Sequence, residues 1–276
     1  MQNKYLLLLL FSLNILLSNT GNFSEIVILS STNVHGEIEP CGWKKGPLGG
    51  LARKATIIDG IKSEGYNPII VDAGNLFFKT NKPAIGVSND IRQINAEVIL
   101  ESFNNIGCHA FSVGENEFSN GLDYILELKR KANFPFLSAN IVNDNNELIF
   151  DPYVIVEADI RIGFIGLASI FNNSEVRVLN PLISLSNIID EVRSKSDLVV
   201  LLFNTNQSDL IQLQNSDINI DLIIRSKDKR QKPPKDGGTK RIPVYSSANR
   251  GKYLNRLDLK LSQSGLSLTD ITSQNN

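Results

Sequence analysis

The residues of chemical interest sit in short polar clusters, each following an apolar run. Thr32-Asn33-Val34-His35-Gly36 follows Ile26–Ser30, and Asp72-Ala73-Gly74-Asn75 closes the run Pro68–Val71. Gly114-Glu115-Asn116-Glu117 follows Ala110–Val113, Asn204-Thr205-Asn206 follows Leu198–Phe203, and Arg225-Ser226-Lys227-Asp228-Lys229 follows Leu222–Ile224. In α/β sheets, ligands gather beyond the carboxyl ends of the strands, so five such clusters mark one candidate site. Their chemistry is limited. The chain has two histidines, His35 and His109, too far apart in sequence to be a ligand pair, and none after His109. A histidine-rich pair of metal ions therefore cannot be assembled, because zinc-like centres want three or four good donors each. The clusters supply instead amide carbonyls, one imidazole, the carboxylates of Asp72, Glu115, Glu117 and Asp228, and the cations of Arg225, Lys227 and Lys229.

The elements that would position these clusters alternate. Leu51–Glu64, Ile91–Ile106, Gly121–Ala132 and Ile183–Lys195 have helical spacing of apolar residues, and Gly65 and Gly107 are natural stops. Short β-branched runs between them predict buried strands, with Pro135–Ala139 a further one. Tyr153–Glu157 and Arg161–Leu167, separated by Ala158-Asp159-Ile160, predict a hairpin. Pro243–Ser247 and Leu254–Leu261 are expected to close the domain as a final antiparallel pair. The rhythm predicts an α/β fold of sheets covered by helices.

The first two dozen residues predict an export signal: a short basic start at Met1–Lys4, an apolar run Tyr5–Leu17, then a polar small-residue stretch. An uncleaved anchor is the alternative, and would be the only membrane contact. Residues 1–24 are thus assigned to the leader, 25–263 to one domain and 264–276 to a polar, frayed tail. The expected location is the periplasm, the cell envelope or the exterior. The net charge of −1 leaves no basic footprint for nucleic acid. Cys41 and Cys108 are the only cysteines; an oxidising compartment would permit a bridge, but spacing does not establish one. Trp43, in Pro40-Cys41-Gly42-Trp43, either caps the local core or contacts an envelope partner.

With these clusters in order, the chain resembles the catalytic domain of the calcineurin-like metallophosphoesterases, in their 5'-nucleotidase-like branch. The resemblance runs through Asn33-Val34-His35-Gly36, Gly49-Gly50-Leu51-Ala52-Arg53, Asp72-Ala73-Gly74-Asn75, Gly114-Glu115-Asn116-Glu117-Phe118, Leu137-Ser138-Ala139-Asn140, Asn204 and Lys227-Asp228-Lys229. It covers about residues 26 to 261. It implies a four-layer αββα sandwich of two mixed sheets. The family's separate C-terminal nucleotide-binding domain has no counterpart in the residues after 261.

The family's chemistry uses two divalent ions about 4 Å apart to clamp a phosphate and activate a bridging water. The positions matching its ligands read Asn33, His35, Asn75, Glu115, Asn204, Lys227 and Lys229, and Asn116 stands where its transition-state histidine would be. Only His35 keeps the family residue type. Asparagine offers a neutral carbonyl and lysine a positive charge. The expectation is a pseudo-enzyme: a binding or assembly domain with no metal cofactor. Lys227, Lys229 and Arg230 could hold an anionic or phosphorylated ligand, or could belong to a solvated basic loop. The alternative is a residual phosphohydrolase using one metal on His35 and Glu115. His109, Asp72 and Glu117 are expected to be structural.

Overall fold

The computed structural model describes residues 24–40, 47–80, 86, 88–228, 230, 241–262 and 265–275. The leader, Cys41, Trp43 and Lys229 lie outside these residues, so the expectations resting on them are not addressed by the fold. Among the described residues, no helix is long and apolar enough to cross a membrane.

Two sheets stack face to face. One runs β13-β12-β1-β2-β3-β4 and the other β11-β10-β9-β7-β6. In the first, β1 (Ser24–Ser31), β2 (Ile69–Asp72), β3 (Cys108–Ser112) and β4 (Phe136–Leu137) are parallel neighbours. In the second, β7 (Arg161–Ala168), β9 (Leu198–Asn204), β10 (Leu222–Ser226) and β11 (Val244–Tyr245) are parallel, and β6 (Tyr153–Glu157) pairs antiparallel with β7. A small separate ladder joins β5 (Ile141–Val142) to β8 (Arg177–Val178).

The period-two alternation of strand side chains explains the four layers. On β1, Ile26 and Ile28 face the other sheet, where they meet Val200, Leu202 and Ile224. Val27 and Leu29 face outward onto Ile58 of α1 (Leu51–Ser63) and Phe103 of α2 (Asn89–Ile106). On β9, Val199, Leu201 and Phe203 face away from the first sheet, onto Leu185 and Ile189 of α4 (Pro181–Lys195) and Leu210 of α5 (Gln207–Gln214). Helix α3 (Leu122–Lys131) completes the layer over the first sheet through Ile125 and Leu128. Strands buried on both faces need continuous apolar runs, which is what the sequence displays. Local signals fix the helix ends. The Ser88 hydroxyl caps α2 at the Ile91 amide, and Gly107 stops it at φ 80°, where a residue without Cβ is unstrained.

The structure corrects the reading at the C-terminal end. Val244–Tyr245 does not pair with the following strand; β11 joins β10 in the second sheet, and β12 (Tyr253–Ser262) crosses to the first, antiparallel to β1. Two adjacent strands with a polar connector look like a hairpin in sequence, but here the connector carries the chain between sheets. The stretch assigned to a frayed tail is strand β13 (Gly265–Asn275), paired with β12 through an irregularity at Asp258/Leu259. An edge strand is held by backbone hydrogen bonds on one side, so its pairing needs no apolar run. Strand β1 opens at Ser24, one residue inside the stretch assigned to the leader.

Candidate functional site

The clusters lie at or just beyond the carboxyl ends of the parallel strands, on one side of the sandwich, with Asp72 closing β2, Asn204 closing β9 and Ser226 closing β10. The loops after β1 and β2 are tied by backbone bonds: the amides of Asn33, His35 and Gly36 donate to the carbonyls of Gly74, Asn75 and Leu76. Asn33, His35, Asn75 and Lys227 all adopt left-handed conformations, with φ of 53°, 62°, 57° and 59°. Asparagine tolerates that region; histidine and lysine do so at some cost.

Asn33 is the hub. Its Oδ1 accepts from Asn75 Nδ2 at 2.9 Å and from the Lys227 backbone amide at 3.0 Å. Its Nδ2 donates to the Ala248 carbonyl at 2.9 Å. The Lys227 ammonium lies 2.8 Å from Glu115 Oε2, with both side chains about a quarter exposed. Asn204 is fully buried; its Nδ2 donates to Ser226 Oγ at 2.8 Å, and that hydroxyl donates to the Ala73 carbonyl. Asn116 donates to the carbonyls of Phe78 and Lys79. So Asn33, Asn75, Glu115 and Lys227 form one bonded cluster, and Asn204 packs beside it. The space it fills is cleared by two glycines: a Cβ on Gly114 would lie 2.4 Å from Asn204 Cγ, and one on Gly74 would lie 2.9 Å from Asn204 Nδ2.

The buried carboxylates brace the loops. Glu117 accepts from the Leu76 amide at 2.7 Å and the Gly114 amide at 2.9 Å; burial pushes it up to about 7, against the pull of these amides. Asp72 accepts from Ser31 Oγ and the Gly74 amide; burial raises it to about 6, opposed by the charge of Lys54. His109 Nδ1 accepts the Ile70 amide, where the β2–β3 register shifts. These three serve the scaffold. Cys108 is a buried free thiol. Arg230 is exposed and paired with Asp228.

Four buried acceptors in this region have no hydrogen-bond partner: His35 Nδ1, Asn75 Oδ1, Asn204 Oδ1 and Asn249 Oδ1. Burial lowers the pKa of His35, outweighing a backbone hydrogen bond at Phe78, so the ring is neutral near pH 7. One imidazole nitrogen and three neutral carbonyl oxygens are a poor set for two divalent ions, which need carboxylates and imidazoles. Among the described residues, no group of three or more His, Cys, Asp or Glu side chains could hold a metal ion. Of the carboxylates at the pocket, Glu115 is bonded to the Lys227 ammonium, which repels cations, and Asp228 is paired with Arg230. These residues do not fit a two-metal centre.

A pocket of about 880 Å³ opens over the cluster, lined by Asn33, His35, Asn206, Gln207, Arg225, Lys227, Asp228 and Asn249. Gln207 and Asn249 were not singled out from sequence, and Asn206 and Arg225 stood in the polar clusters without a role of their own. The rule of polar clusters after apolar runs would have found Asn249, since Ser246-Ser247-Ala248-Asn249-Arg250-Gly251 follows β11.

No family model matches the chain. It is 33% identical over 153 residues to the protein UshA of Salmonella pullorum, which covers 52% of this chain and 26% of that protein. It is 30% identical over 196 residues to a 5'-nucleotidase of Vibrio vulnificus, covering 68% of this chain and 32% of the relative. The structure of the calcineurin-like phosphoesterase YfkN from Bacillus subtilis superposes with a TM-score of 0.73 at 22% identity, covering 91% of this chain and 90% of that one. The chain is a relative of the calcineurin-like 5'-nucleotidases. It spans a quarter to a third of the length of these two curated relatives. The two mixed sheets are the calcineurin-like phosphoesterase fold, and the Asn33–Asn75–Lys227–Glu115 cluster lies at the strand ends of that fold.

Proposed function

We propose that this chain is a non-hydrolytic, exported member of the 5'-nucleotidase-like group, a pseudo-enzyme whose pocket binds an anionic or phosphorylated small molecule. One observation carries the reading. At the centre of the strand ends, a lysine–glutamate ion pair and a closed amide network occupy the positions matched to metal ligands. An ammonium among neutral amides suits an anion and opposes a divalent cation. Nothing in this cluster can lower the pKa of an attacking water as a bound metal does. The charged start, apolar run and small polar stretch at the N-terminus support export.

The test is turnover. Purified protein is assayed with nitrophenyl phosphate and nucleoside monophosphates in the presence of manganese, cobalt or zinc. The expected result is no hydrolysis above buffer. Metal-dependent turnover that His35→Ala abolishes would overturn the proposal and favour the single-metal hydrolase.

A further inference from the structure

The pocket contains a cation that the metal-site comparison does not involve. Arg225 is the penultimate residue of β10 and is only 8% exposed. Its Nη1 donates to Gln207 Oε1 at 2.9 Å, its Nη2 makes a long bond to the Thr205 carbonyl, and its Nε has no partner. Lys227 pairs with Glu115, and Arg230 pairs with Asp228. Among the described residues, Arg225 forms no ion pair. Asp228 is near enough to act on the Arg225 charge but is bonded to Arg230, so the guanidinium is buried at the pocket wall without an anion bonded to it, which is costly and calls for one.

The neighbouring element adds donors. Asn206 and Gln207, which line the pocket with Arg225, open helix α5. Asn206 caps the Asp209 amide and leaves the first two amides, those of Gln207 and Ser208, without an intrahelical acceptor. A helix start carries partial positive charge and is suited to a phosphate group. The acids nearby are engaged: Asp228 by Arg230, and Asp209 by Ser169 Oγ.

We infer that Arg225 and the first turn of α5 form a phosphate subsite, distinct from the Asn33–Lys227 cluster, that takes inorganic phosphate or the terminal phosphate of a monoester. A guanidinium together with backbone amides offers several donors to one group, which suits the multiple oxygens of a phosphate. The inference rests on the reading of the pocket as a binding site and gives it a location.

Isothermal titration of the full chain with inorganic phosphate, and separately with a nucleoside monophosphate, tests it. Wild type should bind at least one probe, and a stronger ester signal would identify the monoester as the occupant. Arg225→Gln should weaken binding at least tenfold and by more than Lys227→Met does, while Lys195→Met, outside the pocket, should leave it unchanged. Should Arg225→Gln fail to fold, Asn206→Asp keeps a good helix cap but adds negative charge at the wall, and it too should weaken binding at least tenfold. Binding unchanged in these two variants would remove the subsite and leave the pocket reading standing. Loss in Lys227→Met alone would move the anion to the old metal positions and overturn the inference. Absence of binding by wild type to either probe at millimolar concentration would remove both.

Discussion

Replacing Lys227 by methionine tests whether an ion pair now ties the strand ends together. The ammonium and the Glu115 carboxylate are 2.8 Å apart, and about three-quarters of each side chain is buried. Exposed pairs contribute about 0.5 kcal/mol, whereas stripping the partner from a fully buried one costs roughly 3–5 kcal/mol. This intermediate burial places the cost of Lys227→Met at about 2 kcal/mol, mostly from the carboxylate left behind. Methionine is the proper replacement because Lys227 sits at φ 59°. Glycine there would relieve about 1–2 kcal/mol of backbone strain and mask the effect. The backbone amide that donates to Asn33 is unchanged by the substitution. A double-mutant cycle with Glu115→Gln, followed by urea unfolding, isolates the pair. The expected coupling is about 1–2 kcal/mol, with unchanged m-values. Coupling below about 0.5 kcal/mol would refute the reasoning and reduce the pair to a solvated surface contact.

Three further outcomes are expected. Gly114→Ala, at an ordinary φ, should destabilise by about 2 kcal/mol, since its Cβ would lie 2.4 Å from Asn204 Cγ; adding Asn204→Ala should recover much of the loss in chemical denaturation. Glu117 is raised from 4.5 to about 7 by burial, so its contribution to stability is complete below pH 4.5 and is lost as pH rises through 7. The stability difference between wild type and Glu117→Gln should therefore be larger at pH 5 than at pH 8, by about 2–3 kcal/mol, and a difference independent of pH would contradict this. Removing divalent ions with a chelator should leave the thermal midpoint unchanged, because the donors described at the site do not fit a divalent ion.

Much of this was legible in the sequence, for identifiable reasons. Strands such as Leu198–Phe203 are buried on both faces and so are continuously apolar, and Tyr153–Glu157 with its tight connector could only be a hairpin strand. The register between apolar runs and the polar residues after them located Asn33, Asn75, Glu115, Asn204 and Lys227. The fate of their side chains was not legible. That Lys227 meets Glu115, 112 positions away, depends on how two sheets stack. Arg225 read as the start of a basic loop, and only the fold shows its guanidinium turned inward beside Gln207. Strand β13 was missed because edge pairing is a backbone property, and β11 because adjacency along the chain does not say which sheet a strand joins.

Metal content tests the central claim most directly. The protein is incubated with excess manganese and zinc, desalted, and analysed by elemental mass spectrometry. Far less than one ion per chain is expected, since the only acid of the cluster is held by a lysine and the remaining donors are neutral. Two tightly held ions per chain, lost when His35 is replaced by alanine, would contradict it.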